Sequence, residues 1–498
     1  MRKQTKAHTT ILGNLGIVLL LGGMLSACGG GSGASGNADS SVTPTPPITT
    51  PPVTTPPAGT NSLSIEILGL GSKSLTLSLG SQTQTITGTG GVTNFSFTGL
   101  VNGQNYTLAI VKQPPGLTCT LLSIYATVTI QGDTDFGRLP CSVSGNNVGG
   151  KVSFKGQAGW MPTGTIVVDA NGNTYGTTII GGQYGYGTVY KITPDDIMTV
   201  LYSFGATLTD GLMPMSGLII DASGNLYGTT RFGGLNSAGT IFKIATNGTK
   251  SELVSFPAND LSYPAGGLLL DSAGNIYGTT SFGQGSLYKL TPSLSLTRLR
   301  GLGDIASYTP VGSLAMDSQG TIYGAAQQGG AYGDGVLYKL NSSGNLTVLH
   351  AFEDPAVKDD GAYPTGGVIY DGSDALYGIT TYVGSNGCGT IFKWSISKNQ
   401  YAKIHDLDCD AEGQSPLGSL SLDASHQLWG TASHGGYYNY GTIFSFTPDG
   451  QINFVYLLQD TDLGSTPVGN ALSINNRIIT TTFNGVNGNY GSFVDIRR

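Results

Sequence analysis

Asp221-Ala-Ser-Gly-Asn-Leu-Tyr-Gly-Thr-Thr230, DASGNLYGTT, is written into this chain several times over. It returns as DANGNTYGTT from Asp169, DSAGNIYGTT from Asp271 and DSQGTIYGAA from Asp317, then more loosely as DGSDALYGIT from Asp371 and DASHQLWGTA from Asp423. A degenerate seventh copy, INNRIITTT, starts at Ile474. Seven residues ahead of each copy stands a proline: Pro162, Pro214, Pro264, Pro310, Pro364, Pro416 and Pro467, at spacings of 52, 50, 46, 54, 52 and 51. A sustained period of this length marks a repeat architecture.

Each period parses into four short strands. An apolar run precedes the Asp, NLYGTT follows it, a Gly-rich loop leads to GTIFKI (Gly239–Ile244), and ELVSF (Glu252–Phe256) closes the unit. Four strands per repeat predict a β-propeller blade, and seven copies predict seven blades. The last copy ends at GSFVDIRR and lacks a fourth strand, whereas GKVSF (Gly150–Phe154) precedes the first copy unassigned. Strand 150–154 is therefore expected to complete the last blade, closing the ring and removing its open edge. The propeller domain is placed at 148–498.

The rest of the chain differs in character. Arg2, Lys3 and Lys6 precede the apolar run Ile11–Leu21 and Leu25-Ser26-Ala27-Cys28, the layout of a secretory signal over residues 1–27. Leu-Ser-Ala-Cys resembles the lipobox of bacterial lipoproteins. That resemblance implies lipidation of Cys28, palmitate included, and with Gly29 next in line it implies the outer membrane of a Gram-negative cell, facing periplasm or exterior. Residues 28–60, Gly/Ser-rich and then Thr/Pro-rich, have too little apolar mass to fold and read as a tether. Residues 61–147 alternate in period two, with turns every eight to twelve residues, and predict a small Ig-like β-sandwich. The fold class is thus all-β, a sandwich followed by a propeller.

Composition excludes some roles. The 498 residues include 78 Gly, only 11% are charged, and the formal net charge is −7, so nothing points to nucleic acid. Cys119 and Cys141 lie in one segment and Cys388 and Cys409 in another. Two local disulfides are expected, with a metal site as the alternative, although no C-x-x-C spacing supports one. Asp133-Thr-Asp135 faintly resembles part of a calcium loop, but the rest of that motif is missing and a turn between strands is the preferred reading. No cofactor is expected, and the chain is expected to be a monomer.

The full pattern, P-x-G-G-L-x-x-D-x-x-G-N-x-Y-G-T-T followed by G-T-I-F-K-I, resembles the tandem repeat of the GloVer-containing proteins, bacterial exported proteins with variable anchors. The resemblance covers about residues 149–498 and implies architecture and export, with no activity attached. The D-x-x-G-N-x-Y core also resembles turns in NHL-type and streptogramin-lyase-like propellers, which include binding modules and enzymes alike.

The motif itself reads as architecture. Asp caps a tight turn, Gly and Asn accept positive φ, and Tyr175, Tyr227, Tyr277, Tyr323, Tyr377 and Trp429 pack between blades. The opposite rim is the candidate site, because its loops differ from copy to copy. It gathers Trp160, Tyr184, Tyr186, Tyr263, Tyr308, Tyr332, Tyr363, Tyr437, Tyr438 and Tyr440, with an acid four residues before the proline at Asp210, Asp260, Asp360 and Glu412. Rings beside acids suit a glycan or an envelope protein; the bland alternative is turn-capping acids and gap-filling tyrosines. His434 with Tyr437 is the one pair offered for catalysis, as in a glycan lyase or hydrolase. The expected function is recognition or scaffolding at the cell envelope, with a glycan-acting enzyme as the competitor.

Overall fold

Period-two sequence broken by Gly and Asx turns folds as strand along the whole described chain. The computed structural model describes residues 60–497, apart from 89–92, 116, 120, 122–126, 144–151, 304, 306–309, 459–462 and 486–489. The signal segment, Cys28 and nearly all of the tether lie outside the described residues, as do Tyr308 and the first two positions of the expected closing strand, Gly150 and Lys151. The fold is all-β, and among the described residues no helix is long and apolar enough to cross a membrane.

Residues 61–143 form two four-stranded sheets. One orders Thr93–Leu100, Asn61–Leu68, Thr134–Val143 and Leu117–Cys119; the other orders Gln82–Thr87, Ser74–Leu79, Asn105–Lys112 and Thr127–Thr129. Alternation turns Leu75, Leu77 and Leu79 inward, where they share one buried core with Leu63, Ile65, Ile67 and Phe97 of the other sheet. Cys119 stands opposite Cys141 in a strand pair, and a disulfide joins them. Asp133 accepts bonds from the Ser62 amide and hydroxyl, both 2.9 Å, which makes its segment a turn fastener.

From Trp160 the sheets repeat. In repeat 2, Ile219–Ile220, Leu226–Thr230, Thr240–Ile244 and Lys250–Ser255 follow one another as an antiparallel sheet. The same order runs from repeat 1 (Trp160–Val168, Thr174–Ile180, Thr188–Ile192, Met198–Ser203) to repeat 6 (Ser421–Leu422, Leu428–Ala432, Thr442–Phe446, Ile452–Leu457). Repeat 7 supplies Leu472–Ile474, Arg477–Asn484 and Ser492–Arg497. Its outer position is taken by Val152–Ser153 from ahead of repeat 1, with Val152 opposite Phe493 and Ser153 opposite Ser492. In repeat 5 a disulfide joins Cys388, just before the third strand, to Cys409, just after the fourth.

Apolar burial lies between successive sheets. Tyr227 of repeat 2 packs with Ile276 and Tyr288 of repeat 3, Tyr323 with Leu376 and Phe392, and Trp429 with Ile478 and Val494. The series returns to its start: Ile479 and Phe493 of repeat 7 share a core with Phe154, Ile166 and Tyr190. Each fully buried side chain of this size contributes ~1.5–3 kcal/mol, so every seam is held by the same kind of term.

The periodic prolines sit in these seams. Pro214 lies against Gly187, Pro264 against Gly239, Pro364 against Gly335 and Pro467 against Gly441, each glycine heading the third strand of the preceding repeat. Pro162 meets Gly491 in the same way across the first and last repeats. Gly491 has φ +118°, and a Cβ there would strike Pro162 Cδ, so only glycine fits. The residue before the proline sends its N–H into the same seam. Met213 donates to Tyr186 O, Tyr263 to Ala238 O, Tyr363 to Asp334 O, Thr466 to Tyr440 O and Met161 to Tyr490 O, at 2.8 to 3.0 Å. These five residues hold φ between 56° and 61°, a left-handed conformation that costs ~1–2 kcal/mol each. Packing in the seam offsets that cost.

Candidate functional site

The recurring motif spends its polar atoms on itself. Asp221 Oδ1 accepts the amides of Ser223 and Asn225 (2.9 and 2.8 Å), while Oδ2 accepts Asn225 Nδ2 (2.8 Å) and the Tyr227 hydroxyl (3.0 Å). Asp169 and Asp271 repeat the pattern, and Asp423 accepts Trp429 Nε1 in place of a phenol. Burial pushes the Asp169, Asp221 and Asp271 carboxyls up, but the bonds from Asn and Tyr outweigh it and hold them below the ordinary value. Burial and the neighbouring Asp169 push the Tyr175 phenol up to about 12. Lys191, Lys243, Lys289 and Lys393 lie over the tyrosine rings of their own sheets at 5.4 to 6.0 Å. A cavity of about 610 Å³ opens here between repeats 1 and 2, lined by Asp169, Tyr175, Lys191 and Asp221. Because both carboxylates there are already saturated by their own turns, its size does not make it the better candidate.

A smaller cavity of about 210 Å³ is lined by one inner stretch from each repeat: Gly164 and Thr165, Met215 to Gly217, Ala265 and Gly267, Gly312 and Ser313, Thr365 and Gly366, Leu417 to Ser419, and Val468 to Asn470. Among the described residues, its wall carries no ionisable side chain. Inner strands are cross-tied around it: Leu218 N–H donates to Thr165 O (3.0 Å), Gly267 N–H to Gly312 O (2.9 Å), and Ile166 N–H to Asn470 Oδ1 (3.0 Å).

On the rim opposite the motif turns, the two sets of loops meet. Gly234 N–H donates to Asp210 O and Gly436 N–H to Cys409 O, tying each second-to-third loop to the connection that enters its own repeat. Among the described residues, every repeat exposes one large apolar side chain at the end of its second strand or in the loop to its third: Tyr184, Leu235, Phe282, Tyr332, Tyr382, Tyr440 and Tyr490, each between 40% and 74% exposed. Trp160 stacks on Tyr490 at 4.3 Å, and Tyr363 sits edge-on to Tyr382 at 6.0 Å. Tyr263 lies between Phe232 (5.5 Å) and Phe282 (6.0 Å). The Tyr332 hydroxyl reaches Asp354 Oδ1 at 3.3 Å, and Asp334, bonded to Tyr363, pushes that phenol up. Tyr186 is half-buried against the seam with repeat 2. Phe282, Tyr382 and Tyr490 were not among the sequence candidates; comparing only the second-to-third loops, repeat by repeat, would have found them.

The acids require a correction. Asp210, Asp360 and Glu412, expected beside the exposed rings, are buried. Asp210 accepts the Tyr202 hydroxyl (2.9 Å) and the amides of Gly205 (2.8 Å) and Gly211 (2.9 Å), and pairs with Lys250 Nζ (2.8 Å). Burial raises its carboxyl, yet Lys250 and Tyr202 bring it below the ordinary value. Asp360 bonds His350 Nε2 and Glu412 bonds His405 Nε2, both at 2.7 Å. These acids hold the inter-repeat connection together, bonded from within the protein to Lys250, His350 and His405. Only Asp260 is exposed, 3.7 Å from Arg298.

The two residues offered as a catalytic pair lie in different surroundings. His434 is exposed with Nδ1 on Ser433 Oγ (2.9 Å), while Tyr437 and Tyr438 pack edge-to-face at 5.2 Å over the core of their sheet. Among the described residues, no group of three or more His, Cys, Asp and Glu side chains is placed to hold a metal ion.

Residues 123–315 and 281–494 match the Gloeobacter/Verrucomicrobia repeat, and the chain belongs to that family. Among curated proteins no sequence matches it. Solved structures similar to it include virginiamycin B lyase from Staphylococcus aureus, at 18% identity and TM-score 0.48, covering 70% of this chain and 99% of that one. A streptogramin B lyase has 16% identity and TM-score 0.48, over 70% and 97%. A gluconolactonase from Xanthomonas campestris has 14% identity and TM-score 0.37, over 70% and 89%.

Proposed function

We propose that the seven sheets are the blades of a closed β-propeller, carried behind an Ig-like sandwich on a lipid-anchored tether at the outer membrane, and that its loop-rich rim recognises a glycan or an envelope protein. The observation that carries this reading is the ring of exposed side chains, one per repeat and six of the seven aromatic, on a rim whose opposite face is closed by self-satisfied turns. An aromatic with a polar tip suits a surface that must be wet when free and covered when bound.

The test is a glycan array and a pull-down from envelope extract, using the exported protein and a variant with Tyr184, Tyr332, Tyr382 and Tyr440 replaced by Ser. Binding without turnover, lost in the variant at unchanged melting temperature, is the expected result. A variant that binds as the parent does removes the rim from consideration. Turnover of a bound glycan that disappears in His434→Ala would replace recognition with catalysis.

A further inference from the structure

Arg231 breaks the repeat. It follows the second strand of repeat 2, and the matching positions elsewhere hold Ile179, Ser281, Gln327, Thr381, Ser433 and Phe483, all uncharged. Its backbone is pinned on both sides: Thr230 is in register with Thr240, Arg231 N–H donates to Met213 O (3.1 Å), and Phe232 pairs with Leu212. The side chain therefore leaves from a fixed point on the loop-rich rim.

Its surroundings are apolar. The guanidinium carbon lies 5.8 Å from the Phe232 ring centre, and Tyr263 is close enough to interact with its charge. Nε is buried with no acceptor, and among the described residues no carboxylate pairs with the guanidinium. Burial pushes its pKa down. A desolvated cation without a counter-charge is costly, and a protein of net charge −7 has carboxylates to spare for it. Folding has left this one unpaired and only partly buried on the loop-rich rim. The residues the ring needs recur in every copy; this one occurs once.

We propose that Arg231 anchors a binding site for a ligand that joins a carboxylate to a ring. The planar fork of the guanidinium takes the carboxylate in two parallel hydrogen bonds. Phe232, Tyr263 and the exposed Phe282 offer faces and edges to the ring, spaced 5.5 and 6.0 Å apart. An acidic sugar and an aromatic acid both have this chemistry. The assignment rests on the rim being a binding face, but on a single residue of it.

Calorimetric titration of the exported protein with trigalacturonate, maltotriose, 4-hydroxybenzoate and sodium sulfate decides the matter. The expected result is binding of at least one carboxylate ligand, about 10-fold or more weaker in Arg231→Gln, as loss of a charge-assisted bond predicts. The tighter of trigalacturonate and 4-hydroxybenzoate identifies the source. Binding of neither, equal binding by Arg231→Gln, or sulfate binding as tightly as both overturns the proposal. Arg231→Met should melt no lower than the parent, since it removes an unpaired charge; a marked fall would reveal an internal partner and overturn it too. Maltotriose binding that ignores Arg231, with neither carboxylate ligand bound, would overturn the anionic site and leave the rim as a recognition face.

Discussion

Replacing Gly491 by alanine attacks the join between the last repeat and the first with a single methyl group. Two costs add. Gly491 sits at φ +118°, and holding an L-residue at positive φ costs ~1–3 kcal/mol. The new Cβ would strike Pro162 Cδ and come within 2.9 Å of Cγ, and overpacking of that kind costs ~1–3 kcal/mol more. Their sum is ~2–6 kcal/mol. With ~2.1 cal/mol/K of unfolding entropy per residue over roughly 350 residues, the melting temperature should fall by ~3–8 °C. Gly248→Ala is the matched control: its φ is +83°, but nothing lies within 4 Å of the new Cβ. Only the conformational cost remains there, for a fall of ~1–4 °C. Scanning calorimetry of both variants beside the parent gives the comparison. If Gly491→Ala melts with Gly248→Ala, the proline–glycine contact does not hold the ring shut.

Deleting Val152–Phe154 should cost far more than removing three residues from the tether, because Phe154 is fully buried against Ile166 and Tyr190; equal melting of the two truncations refutes closure by that strand. Asp221→Ala frees four donors and should cost ~1 kcal/mol at neutral pH, the figure held low because the turn is largely solvated. Since hydrogen bonds lower the folded-state carboxyl from 3.8, its contribution is complete above that value and drains as pH falls through the folded pKa. The gap between parent and variant in urea midpoint should therefore close on acidification, and a gap that persists at the lowest pH tolerated refutes the assignment. Tyr288→Phe removes a buried hydroxyl with no partner and should raise stability by ~1 kcal/mol. Phe242, Phe392 and Phe444 already occupy that place in other repeats, and a fall in the urea midpoint would show the hydroxyl is bonded.

The repeat, its period and its strand order are legible because they rest on local chemistry. Asp221 caps a turn made by the next four residues, and Leu226 to Thr230 form a short inner strand buried at four of its five positions. The spare strand at Val152, ahead of the first repeat, is likewise visible from counting alone. What counting cannot show is the destination of each side chain. Asp210 looks like a surface turn acid until Lys250, forty residues on, is found against it. Tyr190 looks like Phe242 until its hydroxyl is seen to have no partner. Arg231 reads as an ordinary cation in a variable loop, because nothing in the sequence tells a solvated cation from a desolvated one. Turn chemistry and strand period are set within about ten residues, so sequence alone determines them. Burial and pairing across a seam depend on residues from two repeats about fifty apart, which only the tertiary structure brings together.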